Sequence, residues 1–280
     1  MGPAQEHLKS LSDSREKRAK SDVLDGSGLA FSHVLDLRKA FQSDPHVAQQ
    51  RLSEYYAPYS LAFADEAERS SLPRLHQSLL NPSSTLQVFA FMLGDGIAGG
   101  AHFKILRVGE LTLSALEYVW VSPESRGRNL GRAICDTLDS FLSARGSICT
   151  VAEFHDPSLS SPESIEADAQ AGITSKGRLQ FWKKMGYQAL DVPYICPPVV
   201  GQSVWNMDSL LGVKVLDEYR FQALATGPGY ISVVRAYWDT FNSTYGSCQD
   251  YRRLVEQTEG LDRVELIPLD SPRRRKQHLS

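Results

Sequence analysis

The chain has 280 residues, enough for one large domain or one domain with an appendage, and 42% of them are hydrophobic, as in a packed globular protein. Its formal net charge of -3 gives no global basic field for a nucleic acid, and no apolar run approaches the ~18 residues of a membrane span. The first twenty residues are charged and lack an apolar core, so they do not read as a secretory signal. The cysteines (Cys135, Cys149, Cys196, Cys248) are scattered without metal-type spacing and read as reduced thiols of a cytoplasmic protein, with two disulfides as the alternative.

Residues 1–28 are polar and charge-rich and are expected to form a disordered leader. Residues 29–38 (LAFSHVLDLR) predict a first strand, and 46–57 and 66–80 carry helical spacing of apolar residues. After the turn residues Asn81-Pro82-Ser83-Ser84, strands are predicted over 86–93, 97–108 and 111–121, joined by hairpin signals at Asp95-Gly96 and Gly109. A helix over 129–144 follows, with Leu130, Ile134, Leu138 and Phe141 on one face, and then a strand over 148–154. Residues 156–173 form a long acidic loop, of a length that is uncommon unless functional or mobile. Beyond it come a helix over 175–184, strands over 187–192 and 204–216, helices over 229–245 and 249–259, a strand over 263–269 and a basic tail.

Strand order and type give an α+β layout: a mixed, mostly antiparallel central sheet flanked by helices, with a C-terminal helical extension. The G-x-G-x-x-G turn of a dinucleotide fold is absent, and so is a Walker A loop.

The segment LEYVWVSPESRGRNLGR carries the most chemistry. A strand runs into Ser122-Pro123-Glu124, then an Arg/Gly-rich turn, then a helix start. Unpaired N–H groups and a partial positive charge at a helix N-terminus suit a phosphate, and Arg126, Arg128 and Arg132 add full charges.

The hexamer Arg126-Gly127-Arg128-Asn129-Leu130-Gly131 resembles the [RQ]-x-x-G-x-[GA] turn of the GNAT superfamily of acyl-CoA N-acyltransferases, with Asn129 in place of the first motif glycine. Asparagine tolerates left-handed backbone, so the exchange is physically mild. Phe181-Trp182-Lys183-Lys184-Met185-Gly186-Tyr187 resembles the family's helix-to-strand segment F-Y-x-x-x-G-F. The resemblance covers residues 29–216 as the acyltransferase domain, leaving 217–270 as an extension packed on it and 271–280 as a tail. It implies a V-shaped opening between the fourth predicted strand (111–121) and the fifth (148–154). Pantetheine amides would bond the backbone around Val119, Trp120 and Val121, and pyrophosphate would rest on the amides from Arg126 to Gly131.

The resemblance also implies direct transfer of the acyl group, without a protein nucleophile, from acetyl-CoA or a related acyl-CoA to a small-molecule or peptide amine. No metal, nucleic acid or membrane is called for, and an oligomer stays open. The amine must lose a proton, the thioester carbonyl must be polarised, and the leaving thiolate can use a proton. Glu117, a carboxylate in an apolar strand sharing a face with Val119 and Val121, is the first candidate base; many family members place a glutamate there. Glu153, near the end of the fifth predicted strand, is the second. Trp182 stands where the family often has an acidic tyrosine and cannot supply a phenolic proton, so water, Tyr187 or Tyr194 takes that part, or no acid is used; Trp182 itself packs on the acyl or pantetheine chain or lies in the core. Asp156, Glu163, Glu166 and Asp168 in the acidic loop would suit a cationic amine. Two further readings are a non-catalytic acyl-CoA-binding module, favoured by Trp182, and O-acyl transfer.

Overall fold

The computed structural model describes residues 23–24, 31–63, 66, 69–155, 166, 174–196, 209–240 and 249–271. The acidic loop apart from Glu166, the basic tail and most of the N-terminal leader lie outside these residues. Among the described residues, β1 (Val23–Leu24), β2 (His33–Asp36), β3 (Leu86–Leu93), β4 (Gly96–Val108), β5 (Leu111–Val121), β6 (Ser147–His155), β7 (Gln188–Leu190), β8 (Ser209–Val215) and β9 (Leu266–Pro268) pair in the order β1-β2-β3-β4-β5-β6-β8-β7-β9, and all the strand pairs with a described register are antiparallel except β5 with β6. The chain divides into two compact units, Met1–Lys104 with Glu117–Leu138, and Ile105–Leu116 with Asp139–Ser280.

The first unit opens with β1 (Val23–Leu24), a short strand inside the segment read as leader, paired with β2 (His33–Asp36). The strand expected over 29–38 is cut at Asp36, because the Asp36 carboxylate accepts from the Lys39 amide at 3.1 Å and caps α1 (Leu37–Ser43). Asp44 caps α2 (Pro45–Ala62) through the amides of His46 and Val47, with Pro45 at the first helical position. The next helix, α3 (Leu72–Leu80), starts later than the expected 66, because Ser71 caps it and Pro73 fits its first turn. β3 (Leu86–Leu93) and β4 (Gly96–Val108) pair from Leu86↔Lys104 to Leu93↔Gly96, with Gly94 at φ +60 making the turn rather than the expected Gly96. β5 (Leu111–Val121) follows, then a single 3-10 turn (Pro123–Ser125) and α4 (Leu130–Ala144). Leu37, Leu52, Tyr55, Leu75, Val88 and Trp120 anchor the core of this unit.

The second unit is built around β6 (Ser147–His155). On one side β6 runs parallel to β5; on the other it pairs antiparallel with β8 (Ser209–Val215) along its length, from Cys149↔Val215 to His155↔Ser209. α5 (Ser175–Lys184) matches the predicted span, and Gly186 at φ +88 ends its last turn before β7 (Gln188–Leu190). β8 returns to lie between β6 and β7, and β9 (Leu266–Pro268) closes the outer side of β7. The short α6 (Glu218–Phe221) leads to α7 (Gly227–Asp239) and α8 (Gln249–Thr258). An apolar stripe of α7 is buried: Ile231, Val234 and Trp238 share one core with Val151 and Val213 of the sheet. Gly227 is required there, since a Cβ would sit 1.8 Å from the Thr258 carbonyl oxygen.

Candidate functional site

The β5–β6 register runs from Thr112↔Ser147 to Leu116↔Ala152, although the strands continue to Val121 and His155. Between Thr112 and Ser114 it slips by one residue on β6, and buried hydroxyls fill the irregularity: Ser114 Oγ lies 2.8 Å from Thr150 Oγ1, and Ser147 Oγ donates to the Cys149 carbonyl at 3.0 Å.

In the first unit, β5 delivers the chain to the Arg/Gly turn. The Ser122 amide donates to the Ala98 carbonyl at 2.8 Å and ties the strand end to β4. Gly127 has φ +77 and Asn129 has φ +59, the one left-handed non-glycine residue among those described. Asparagine thus does here what the motif glycine does, as its backbone tolerance suggests. The next residue begins α4, with the Ala133 amide donating to the Asn129 carbonyl at 3.2 Å, so the amides of Leu130, Gly131 and Arg132 have no acceptor within the helix. Arg126, Gly127, Arg128 and Asn129 are exposed, and nothing lies within 4 Å of where a Gly127 Cβ would be. An open left-handed turn at the N-terminus of a fifteen-residue helix, with exposed arginines, fits a pyrophosphate. Arg132 is partly committed, its Nε 3.6 Å from Asp136 Oδ2. Leu130 is buried and offers only its backbone.

The three β5 residues expected along pantetheine separate by face. Val119 and Val121 are half-buried, whereas the Trp120 ring is 4% exposed and its Nε1 donates to the Tyr55 hydroxyl at 2.9 Å. Trp120 can serve a ligand through its backbone alone. Glu117 is half-buried and paired with Lys104 of the neighbouring strand β4 at 2.5 Å, a partner that sequence spacing does not reveal. Nearby, His102 is wholly buried among the rings of Tyr55, Tyr59 and Tyr118, with neither ring nitrogen hydrogen-bonded. Burial, helped by the Lys104 charge, lowers its pKa to about 3, so it stands neutral.

In the second unit, two residues singled out separately come together. Glu153 stands on β6 one residue past the end of the β5 register, and the Tyr194 hydroxyl donates to Glu153 Oε1. Trp238 Nε1 of α7 donates to the same phenol oxygen at 3.4 Å. The Cys196 thiol also hydrogen-bonds Glu153. Burial first, and then the Glu153 charge, hold the Tyr194 phenol well above its ordinary value, and the same causes push the Cys196 thiol up. Sequence spacing does not reveal the Trp238 N–H on Tyr194, because 44 positions separate the two.

Trp182 packs against Phe154 and Tyr187, with ring centroids 5.4 Å and 5.3 Å away, in an aromatic cluster of the second unit. Of the loop acids, Asp156, Glu163 and Asp168 lie outside the described residues, and Glu166 is exposed. Among the described residues no group of three His, Cys, Asp or Glu could hold a metal ion, and no helix is long and apolar enough to cross a membrane.

Residues 48–160 match the model of the acetyltransferase (GNAT) family. Similar solved structures include the ribosomal-protein-S18-alanine N-acetyltransferase of Escherichia coli, at 15% identity over 59% of this chain and 88% of that one, with a TM-score of 0.39. An aminoglycoside 6'-N-acetyltransferase complexed with coenzyme A is 17% identical over 61% of this chain and 91% of its own, with a TM-score of 0.41. A GNAT family acetyltransferase from Elizabethkingia anophelis with acetyl-CoA bound is 12% identical over 57% and 89%, with a TM-score of 0.37. No curated protein matches the chain.

Proposed function

We propose that the protein transfers an acetyl group from acetyl-CoA to a small-molecule or peptide amine. The observation that carries this reading is the cradle at Arg126–Gly131, where left-handed Gly127 and Asn129 open the turn and α4 starts with unpaired amides. Acetyl-CoA, when bound, supplies an acyl group activated as a thioester. The backbone of Tyr118–Val121 would hold the pantetheine arm, and the cradle would neutralise the phosphates.

Two carboxylates compete for the amine's proton. Glu117 already holds the Lys104 ammonium. Glu153 accepts from a phenol that keeps its proton at neutral pH, so that pair contains both an acceptor and a donor of protons. As the acceptor nitrogen bonds the acyl carbon and the carbon–sulfur bond breaks, Glu153 takes the proton that the nitrogen loses. Tyr194 gives its proton to the leaving sulfur, and Glu153 then restores the phenol. Tyr194 thereby takes the part that Trp182 cannot.

The alternative, an acyl-CoA-binding module without turnover, is favoured by Trp182, whose ring is committed to the Phe154–Tyr187 cluster. Thiol release from acetyl-CoA over a panel of amines and alcohols tests the reading. Release with amines supports it, release with alcohols alone makes the protein an O-acyltransferase, and tight acetyl-CoA binding without release makes it a binding module.

A further inference from the structure

Helix α7 holds the Tyr194 segment at two points, the Pro193 carbonyl and the Tyr194 hydroxyl. The Tyr230 hydroxyl donates to the Pro193 carbonyl at 2.6 Å, and two turns later Trp238 Nε1 donates to the Tyr194 hydroxyl at 3.4 Å. Both side chains are buried, Trp238 completely, and the indole is wedged from behind by Tyr251 of α8, ring centroids 5.3 Å apart. A phenol oxygen has two lone pairs besides its O–H. With the O–H turned to Glu153, an indole N–H on a lone pair holds the phenol oxygen in place while leaving its proton transferable. Glu153 lies within the segment that matches the family model, which ends at residue 160, whereas Tyr194, Tyr230, Trp238 and Tyr251 lie beyond it.

We propose that Trp238 is a positioning residue for acyl transfer: its indole N–H holds the Tyr194 phenol on Glu153, which makes the C-terminal helix α7 part of the catalytic apparatus. The inference rests on the proton-transfer roles given above to Glu153 and Tyr194. Losing one neutral hydrogen bond that sets this geometry is expected to lower kcat about tenfold, with the KM for acetyl-CoA unchanged, because the cradle is untouched.

The test is a cycle on the full chain, using acetyl-CoA and the amine that gives the fastest thiol release. Trp238→Phe keeps a buried ring and removes the donor; replacement by the isosteric benzothienylalanine removes the donor with the shape intact, and decides the matter if the phenylalanine variant does not fold. Val234→Ala, which opens space in the same helix face without touching a hydrogen bond, controls for loosened packing. The expected result is a tenfold loss of kcat on removing the donor in the wild-type background, no further loss in Tyr194→Phe, and near-normal kcat for Val234→Ala. With 3-fluorotyrosine at position 194, the fluorine resonance should move when the indole N–H is removed, a readout that needs no acceptor. Losses that multiply with Tyr194→Phe, or a fluorine resonance that stays in place, overturn the proposal. If Tyr194→Phe itself turns over at the wild-type rate, the proton role of Tyr194 fails, and the positioning role fails with it. A fluorine shift alongside normal Tyr194→Phe turnover shows that the contact exists but serves structure alone, which also overturns the proposal.

Discussion

Arg126 has its Nε 3.5 Å from the Val121 carbonyl, a long contact that leaves the guanidinium exposed at the cradle. Reversing its charge beside a pyrophosphate should weaken acetyl-CoA at least tenfold, so Arg126→Glu titrated by calorimetry checks the site. Glu153→Gln should lower kcat by roughly 10²–10⁴-fold with acetyl-CoA binding retained, while Glu117→Gln costs about tenfold or less; steady-state kinetics that reverse this order would return the base to Glu117. His102 makes a stability prediction. Its folded pKa, about 3, lies below the ordinary 6.5, so between those values the unfolded chain binds the extra proton. Stability is therefore fully present above pH 6.5 and falls as the pH drops through that window. Between pH 7 and pH 5 the loss should be roughly 2 kcal/mol, read by urea unfolding, and His102→Phe should flatten the slope. At this scale the left-handed turn and the helix start after it were legible, because turn chemistry is local in sequence. The Lys104 partner of Glu117 was not, since it lies on a neighbouring strand, nor was the burial of His102, which needs Tyr55 and Tyr59 of α2 packed against it.

Strands β3, β4 and β5 and helices α4 and α5 were legible from periodicity, because long runs with one buried face leave little choice of structure. The strand read over 29–38 ends early for a local reason: one aspartate cap outweighs the β-prone residues around it. At Gly99 the packing of whole elements meets one Cα. A Cβ there would lie 2.5 Å from the Trp120 carbonyl oxygen and 2.8 Å from the Ile134 Cδ1 of α4. Gly99→Ala should therefore cost about 1–3 kcal/mol in thermal or urea unfolding. It should also weaken acetyl-CoA, since the clash presses on the strand and helix that flank the cradle. Gly94→Ala, in an open turn with nothing within 4 Å of a Cβ, carries only the strain of its positive φ and should leave acetyl-CoA affinity unchanged.

The second unit does not stop where the family match stops. β8, β9, α7 and α8 supply its sheet partners and much of its core, so we expect a chain ending at Gln202 to be insoluble or molten rather than a smaller folded enzyme. A cooperative melt with acetyl-CoA affinity intact would show instead that the C-terminal part is separable. The encounter of Glu153 with Tyr194 belongs to this scale as well: residues far apart in the chain meet because of the strand order, which local pattern does not encode. That order, with β8 inserted between β6 and β7, also sets a schedule for synthesis on the ribosome. The outer edge of β6, rich in β-branched and apolar residues, emerges before the strand that will cover it. About 50 residues separate His155 from Ser209, so at roughly 5–20 residues per second the edge waits several seconds for its partner. Nascent chains are thus most exposed to strand-to-strand aggregation in that interval, and slow codons or starvation between β6 and β8 would lengthen it where the same delay after β9 would not.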